Sequence, residues 1–122
     1  MINVFNALGA NGFGPASCNV MAGSTGEVSK IMVEVRGTFT GSVFVHGRLI
    51  GQGKARGLAA TAAADFVAKL SLINTLTGAI IAGSTGITAV GLYLVDISGL
   101  EVALEFAFGS GAVTVDVHPV LG

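Results

Sequence analysis

A period of two dominates this chain between Lys30 and Gly51, KIMVEVRGTFTGSVFVHGRLIG. Ile31, Val33 and Val35 alternate with Lys30, Glu34 and Arg36, the pattern that turns one face of a strand to a core and the other to water. Val43, Val45 and Leu49 alternate in the same way with Ser42, His46 and Arg48. Between the two runs lies Thr38-Phe39-Thr40-Gly41, short enough to close a β-hairpin, with Gly37 and Gly41 free to take positive φ. The expectation is two antiparallel strands turned at residues 38–41.

The rest of the chain repeats this rhythm in shorter pieces. Pro15 opens a strand from Ala16 to Ala22, stopped by Gly23-Ser24-Thr25-Gly26. Gly51 to Gly57 reads as a flexible loop carrying Lys54 and Arg56, and Leu58 to Ala64 supplies at most one short helical turn. From Phe66 to Ile73, Phe66, Ala68, Leu70 and Leu72 face one way and Lys69 and Ser71 the other. Gly78 to Ala82 is a short strand. Ala-Gly-Ser-Thr-Gly occurs at 22–26 and again at 82–86, which we read as one turn chemistry used twice, because the flanks do not match. The apolar residues of Val90 to Ile97 run nearly unbroken, the pattern of a strand covered on both faces. Val102, Leu104, Phe106 and Phe108 then alternate with Glu101, Ala103, Glu105 and Ala107. Gly109-Ser110-Gly111 reads as a second hairpin into Val113, Val115 and Val117, ended by Pro119.

Eight strands with Gly-rich turns and no long helical period imply an all-β fold, an antiparallel β-sandwich or jelly roll. Residues 1–14 lack either period and form an irregular amino-terminal arm on a domain spanning 15–122. Val4, Phe5 and Phe13 give that arm apolar contacts to offer a neighbouring subunit, if it is not simply a loose terminus.

Composition bears on what such a fold does. Charged residues make up 11% of the chain, against about 25% in an ordinary soluble domain. Surface buried against other chains, in a dimer or trimer, would account for the deficit, and the alternative is a monomer surfaced by Thr, Ser, Gly and Ala. The net charge of −1 comes without a basic run, so nucleic acid is not an expected partner. The start lacks the basic and apolar regions of a signal peptide. No charge occurs from Leu70 to Val95, longer than the ~20 residues of a membrane helix. Gly78, Gly83, Gly86 and Gly91 break that window into strand-sized pieces, and no membrane span is expected. The single cysteine, Cys18, reads as a small buried hydrophobe.

Residues that carry chemistry are scattered. His46 and His118 fall on polar strand faces, with no third or fourth ligand nearby to make a zinc site. Glu101 and Glu105 are about 13 Å apart along a strand at ~3.3 Å per residue, too far for a glycosidase pair. No serine sits in a Gly-x-Ser-x-Gly elbow, and the 51–57 loop lacks the Ser or Thr a phosphate cradle needs after Lys54. Without Trp, and with Phe39 and Phe44 the only aromatic rings placed to be exposed, a sugar-stacking platform is thin. The expectation is a protein that is not an enzyme and takes no cofactor or metal. Its contacts would run through Glu34, Arg36, Phe39, His46, Arg48, Lys54 and Arg56 together with the arm.

The segment Val33 to Gly47, with alternating Val, then Gly-Thr-Phe-x-Gly, then a second alternating strand ending in Gly, resembles a pattern in small structural proteins of tailed bacteriophages. Gly91 to Leu100 and the closing Gly-Ser-Gly-Ala-Val-Thr-Val are similar to the rest of that pattern, so the likeness covers roughly residues 30 to 120. The resemblance implies a virion protein assembled in the host cytoplasm, a capsid cement or decoration protein that sits on the capsid exterior and clamps neighbouring major capsid subunits. Its other implication is a tail fibre or tail tip module binding a host glycan or receptor. Fibre-like relatives place Asp-Gly and then Trp after the second strand; here Gly51-Gln52-Gly53-Lys54 stands there, which favours the cement version.

Overall fold

The computed structural model describes residues 2–14, 28–49, 68–97 and 100–121. The expected strand at 16–22, the loop at 51–57 and the short helical turn at 58–64 lie outside them. The fold is all-β. Its strands are β1 (Ile2–Leu8), β2 (Gly12–Gly14), β3 (Val28–Leu49), β4 (Ala68–Lys69), β5 (Leu72–Asn74), β6 (Ile80–Ile81), β7 (Gly91–Asp96) and β8 (Leu100–Leu121). All pairings are antiparallel and join them in one sheet. No helix among the described residues is long and apolar enough to cross a membrane.

Neither expected hairpin forms. Residues 28–49 are one continuous strand and residues 100–121 another, and the two pair with each other from Val28↔Leu121 to Leu49↔Leu100. A straight strand of 22 residues would reach about 73 Å at ~3.3 Å per residue, whereas a chain this long packs to a radius of gyration of about 14 Å. The ribbon therefore has to fold over itself. It does so where the glycines lie: Gly37 and Gly41 hold φ of 109° and 133°. The positive φ expected of them is present, spent on a bend within a strand instead of a turn between strands.

The bend is also where the inward face is kept in register. On β3 the buried apolar residues Ile31, Val33, Val35, Val43 and Val45 are all odd-numbered, so the strand passes the bend without changing faces. On β8 they change from Val102, Leu104 and Phe106 to Val113, Val115 and Val117. The switch is made by a β-bulge: Gly41 faces Phe108 and Thr40 faces Ser110, leaving Gly109 as the extra residue. Both halves of the ribbon thus point apolar side chains into the same core, a single cluster that also takes in Phe5, Leu72, Ile87, Tyr93, Val95 and Ile97.

Each half gains its own flanking strands. Beside the first half, β1 pairs with residues 113–117 of β8, and β7 pairs with residues 30–35 of β3, extended by β5 and β6. Beside the second, β2 pairs with residues 104–106 of β8, while β4 and the Val43↔Ile87 bridge complete β3. The result is sandwich-like, two layers made from one sheet. Downstream of β4 the alternation holds, with Leu72 buried and Lys69 and Ser71 exposed, and residues 83–85 form the expected turn. Pro119 does not end β8, which continues to Leu121 past the last β1 pairing at Ile2↔Val117.

The arm is irregular yet paired. β1 slips register between Asn3 and Phe5 and again between Phe5 and Leu8, and Ala7 holds φ of 49°. Such slips erase the period that would reveal a strand in the sequence. Phe5 is buried in the core of its own chain, which corrects its expected place at an interface with a neighbour.

Candidate functional site

The outer face of the ribbon carries two polar clusters and one apolar row. The first cluster is built by register: Glu34 of β3 lies opposite Asp116 of β8, which lies opposite Asn3 of β1. Asn3 Nδ2 donates to Asp116 Oδ1 at 2.7 Å, and the Arg36 guanidinium donates to Asp116 Oδ2. Arg36 Nε also reaches Glu34 Oε1 at 3.4 Å. Asp116 is 2% exposed although it is on the outer face, because these partners cover it. The Asn3 hydrogen bond holds its carboxyl below the usual carboxylate range; burial opposes this, and the Arg36 hydrogen bond and charge and the His118 charge add to it. This is a satisfied strut with its donors already engaged, tying three strands together.

The second cluster lies beyond the bend. His46 Nε2 is 2.8 Å from Glu105 Oε1. The Phe13 ring of β2 stands 5.8 Å from the imidazole and Phe44 stands 6.5 Å away. Lys69 Nζ sits 4.1 Å above the Phe44 ring, the geometry of a cation–π contact. His46 is 3% exposed, and its neighbours Gly47 and Ala103 are buried too. The expectation of a solvent or interface imidazole is therefore corrected: β2 carries Phe13 across this part of the outer face. Glu105, which the alternation of β8 places on the outward face, is half-buried against His46. A His–Glu pair is two-thirds of an acid–base relay, but the imidazole of this one is closed off from solvent. Among the described residues no three of His, Cys, Asp and Glu gather as metal ligands.

The aromatic pair weighed for sugar stacking is engaged elsewhere. Phe39 packs edge-on against Phe106 at 5.8 Å, and the Phe44 ring is capped by Lys69 and closely approached by the backbone at Gly86. Phe108, expected to face inwards, is 39% exposed at the bend, beside the bulge that redirects β8. Its amide is held by the Asn11 side chain, whose Oδ1 accepts at 2.8 Å. Thr38, Thr40 and Ser110 are exposed around it, and Thr40 Oγ1 and Ser110 Oγ are 2.8 Å apart.

The apolar row runs across the outer face of the first half. Ile80, Ile73, Leu94 and Met32 follow one another in register over β6, β5, β7 and β3. Ile80 is 77% exposed, and Ile73 and Leu92 are each about 40% exposed. Beneath them lies a shallow groove of about 290 Å³, bounded by Ile73, Ile80 and Leu94 with Lys30 and Asp96 at its mouth. The near-continuous apolar run of 90–97 is thus half core, through Tyr93, Val95 and Ile97, and half open surface, which corrects the expectation that both faces are covered.

Of the residues singled out from the sequence, the structure brings Glu34 and Arg36 together around Asp116, and Phe13 and His46 together around Glu105. Val4 and Phe39 are half-buried against the core. The side chain of Arg48 and residues Lys54 and Arg56 lie outside what is described. Asp116, Asn3, Ile73 and Ile80 were not legible as contact residues, because each depends on a strand register that periodicity does not contain. No family model, curated protein or solved structure matches this chain.

Proposed function

We propose that this chain is a non-enzymatic structural protein of a phage particle that binds the outside of the capsid and reinforces contacts between major capsid subunits. The observation that carries the reading is the bend of the ribbon. It displays Phe108 among the exposed hydroxyls of Thr38, Thr40 and Ser110 midway along two long paired strands, so a contact surface is presented on hydrogen-bonded backbone. A clamp needs contact area more than a pocket, and the ionisable groups support this by being engaged in struts, Arg36 with Asp116 and His46 with Glu105. The bacteriophage resemblance supplies the identity of the partner. The receptor-binding alternative has less support, since Phe39 and Phe44 are occupied within the chain.

The test is decoration of purified phage heads. The protein is expected at high copy number on heads, outside the shell by electron microscopy. Phe108→Ser should reduce that occupancy at least tenfold, about 1.4 kcal/mol, while leaving the circular dichroism of the free protein unchanged. Heads that never carry it, or occupancy on tails instead, would sink the reading.

A further inference from the structure

The open apolar face of the first half has a charge pattern that identifies what covers it. Three register pairs of β3 with β7 make up its centre: Lys30↔Asp96, Met32↔Leu94 and Glu34↔Leu92. Ile73 and Ile80 extend the middle pair outwards. The apolar middle is therefore rimmed on one side by Lys30 and Asp96 and on the other by Glu34 and Arg36, two cations and two anions. Such a rim has no net sign with which to attract a basic or acidic partner. It is, however, complementary to itself at Lys30 and along the apolar row.

Two sheets can stack face to face about a twofold axis lying between them in two ways. If the axis runs along the strands, between β3 and β7, each column faces the other. Lys30 then meets Asp96 of the second copy, and Met32 meets Leu94. If the axis runs across the strands through the Met32–Leu94 row, the rows above and below exchange. Lys30 then meets Glu34, and the apolar row lies on itself. Either axis sets the Lys30 ammonium against a carboxylate and the Met32–Leu94 row against itself, while Leu92 meets Glu34 of the second copy about the first axis and Asp96 about the second. An isologous interface requires this self-complementarity, and an apolar centre with a charged rim is the anatomy of a protein contact.

We propose that the outer face of β3, β7, β5 and β6 is a homodimer interface, with a second copy of this chain as its occupant. The assignment is independent of whether the protein decorates a capsid, and it uses a different surface from the bend.

Sedimentation velocity on the purified chain from about 1 to about 200 µM tests it. The wild type is expected to sediment as a dimer in this range. Ile80→Asp and Leu92→Asp should each sediment as monomers with unchanged far-ultraviolet circular dichroism, since both side chains are exposed and outside the core. Lys30→Glu should weaken the dimer at least tenfold. Pairing it with Asp96→Lys or with Glu34→Lys should restore the dimer in one of the two combinations and thereby identify the axis. A monomer at every concentration, an oligomer of odd order, an oligomer that survives both aspartate substitutions, or rescue by neither double variant would overturn the proposal. So would a monomeric chain whose face is covered by a different protein.

Discussion

Asp116 and Arg36 are partners in one ion pair, yet replacing them should have unequal effects. The Asp116 carboxylate is buried and accepts from both Asn3 and Arg36, so Asp116→Ala leaves two donors without their acceptor. We expect a loss of about 1–3 kcal/mol in urea denaturation. The Arg36 side chain is more than half exposed and can turn to water, and Asn3 still satisfies the carboxylate, so Arg36→Ala should cost less than about 1 kcal/mol. The pH dependence follows from the depressed pKa of Asp116. A carboxyl whose folded pKa lies below its unfolded value contributes stability in full above the unfolded value, near 4, and loses it as pH falls through the folded value. Wild-type stability should therefore decline below about pH 4 more steeply than that of Asp116→Asn, as read by urea midpoints between pH 2 and 6.

At the scale of strands, the informative comparison is between glycines with similar φ sign and different surroundings. A Cβ at Gly41 would lie 2.3 Å from the Ala107 carbonyl oxygen, while at Gly78 it would meet nothing within 4 Å. Gly41→Ala combines backbone strain with a clash inside the bend, and should cost about 2–4 kcal/mol. Gly78→Ala carries the strain alone, about 1 kcal/mol. Equal midpoint shifts for the two would show that the bend is not constrained as described. The same bend explains which part of the fold was legible. Burial of Ile31, Val33, Val35, Val43, Val45 and the matching residues of β8 is written in their spacing, because alternation depends only on the neighbour two residues away. The partner of each strand is not. A glycine that permits positive φ serves a hairpin turn and an in-strand bend equally well, so Gly37, Gly41 and Gly109 could not distinguish folding back from carrying on. The polar clusters inherit the same blindness: Glu34 was visible as an outward residue, but its place beside Asp116 exists only through pairing with a residue 82 positions away. Similarly, the apolar run of 90–97 carries hydrophobicity and not the identity of whatever lies over its outer face.

For the molecule as a whole, those distant pairings set the folding rate. The ribbon joins residues separated by roughly 50 positions at one end and roughly 90 at the other, so loop closure must precede nearly all of the stabilising contacts. Refolding in stopped-flow experiments should take milliseconds to seconds, as in other folds dominated by non-local strand pairing, and not microseconds. A two-layered β protein usually has a division along which it can loosen, since each layer owns its strands. In this chain β3 and β8 belong to both layers, and the inward side chains on either side of the bend share one cluster. Opening either layer locally would unpair the ribbon that holds the other. Backbone amides of β3 and β8 should therefore exchange their hydrogens only by global unfolding, with the same protection free energy at Val33 as at Val45. The fold has two layers but only one cooperative unit.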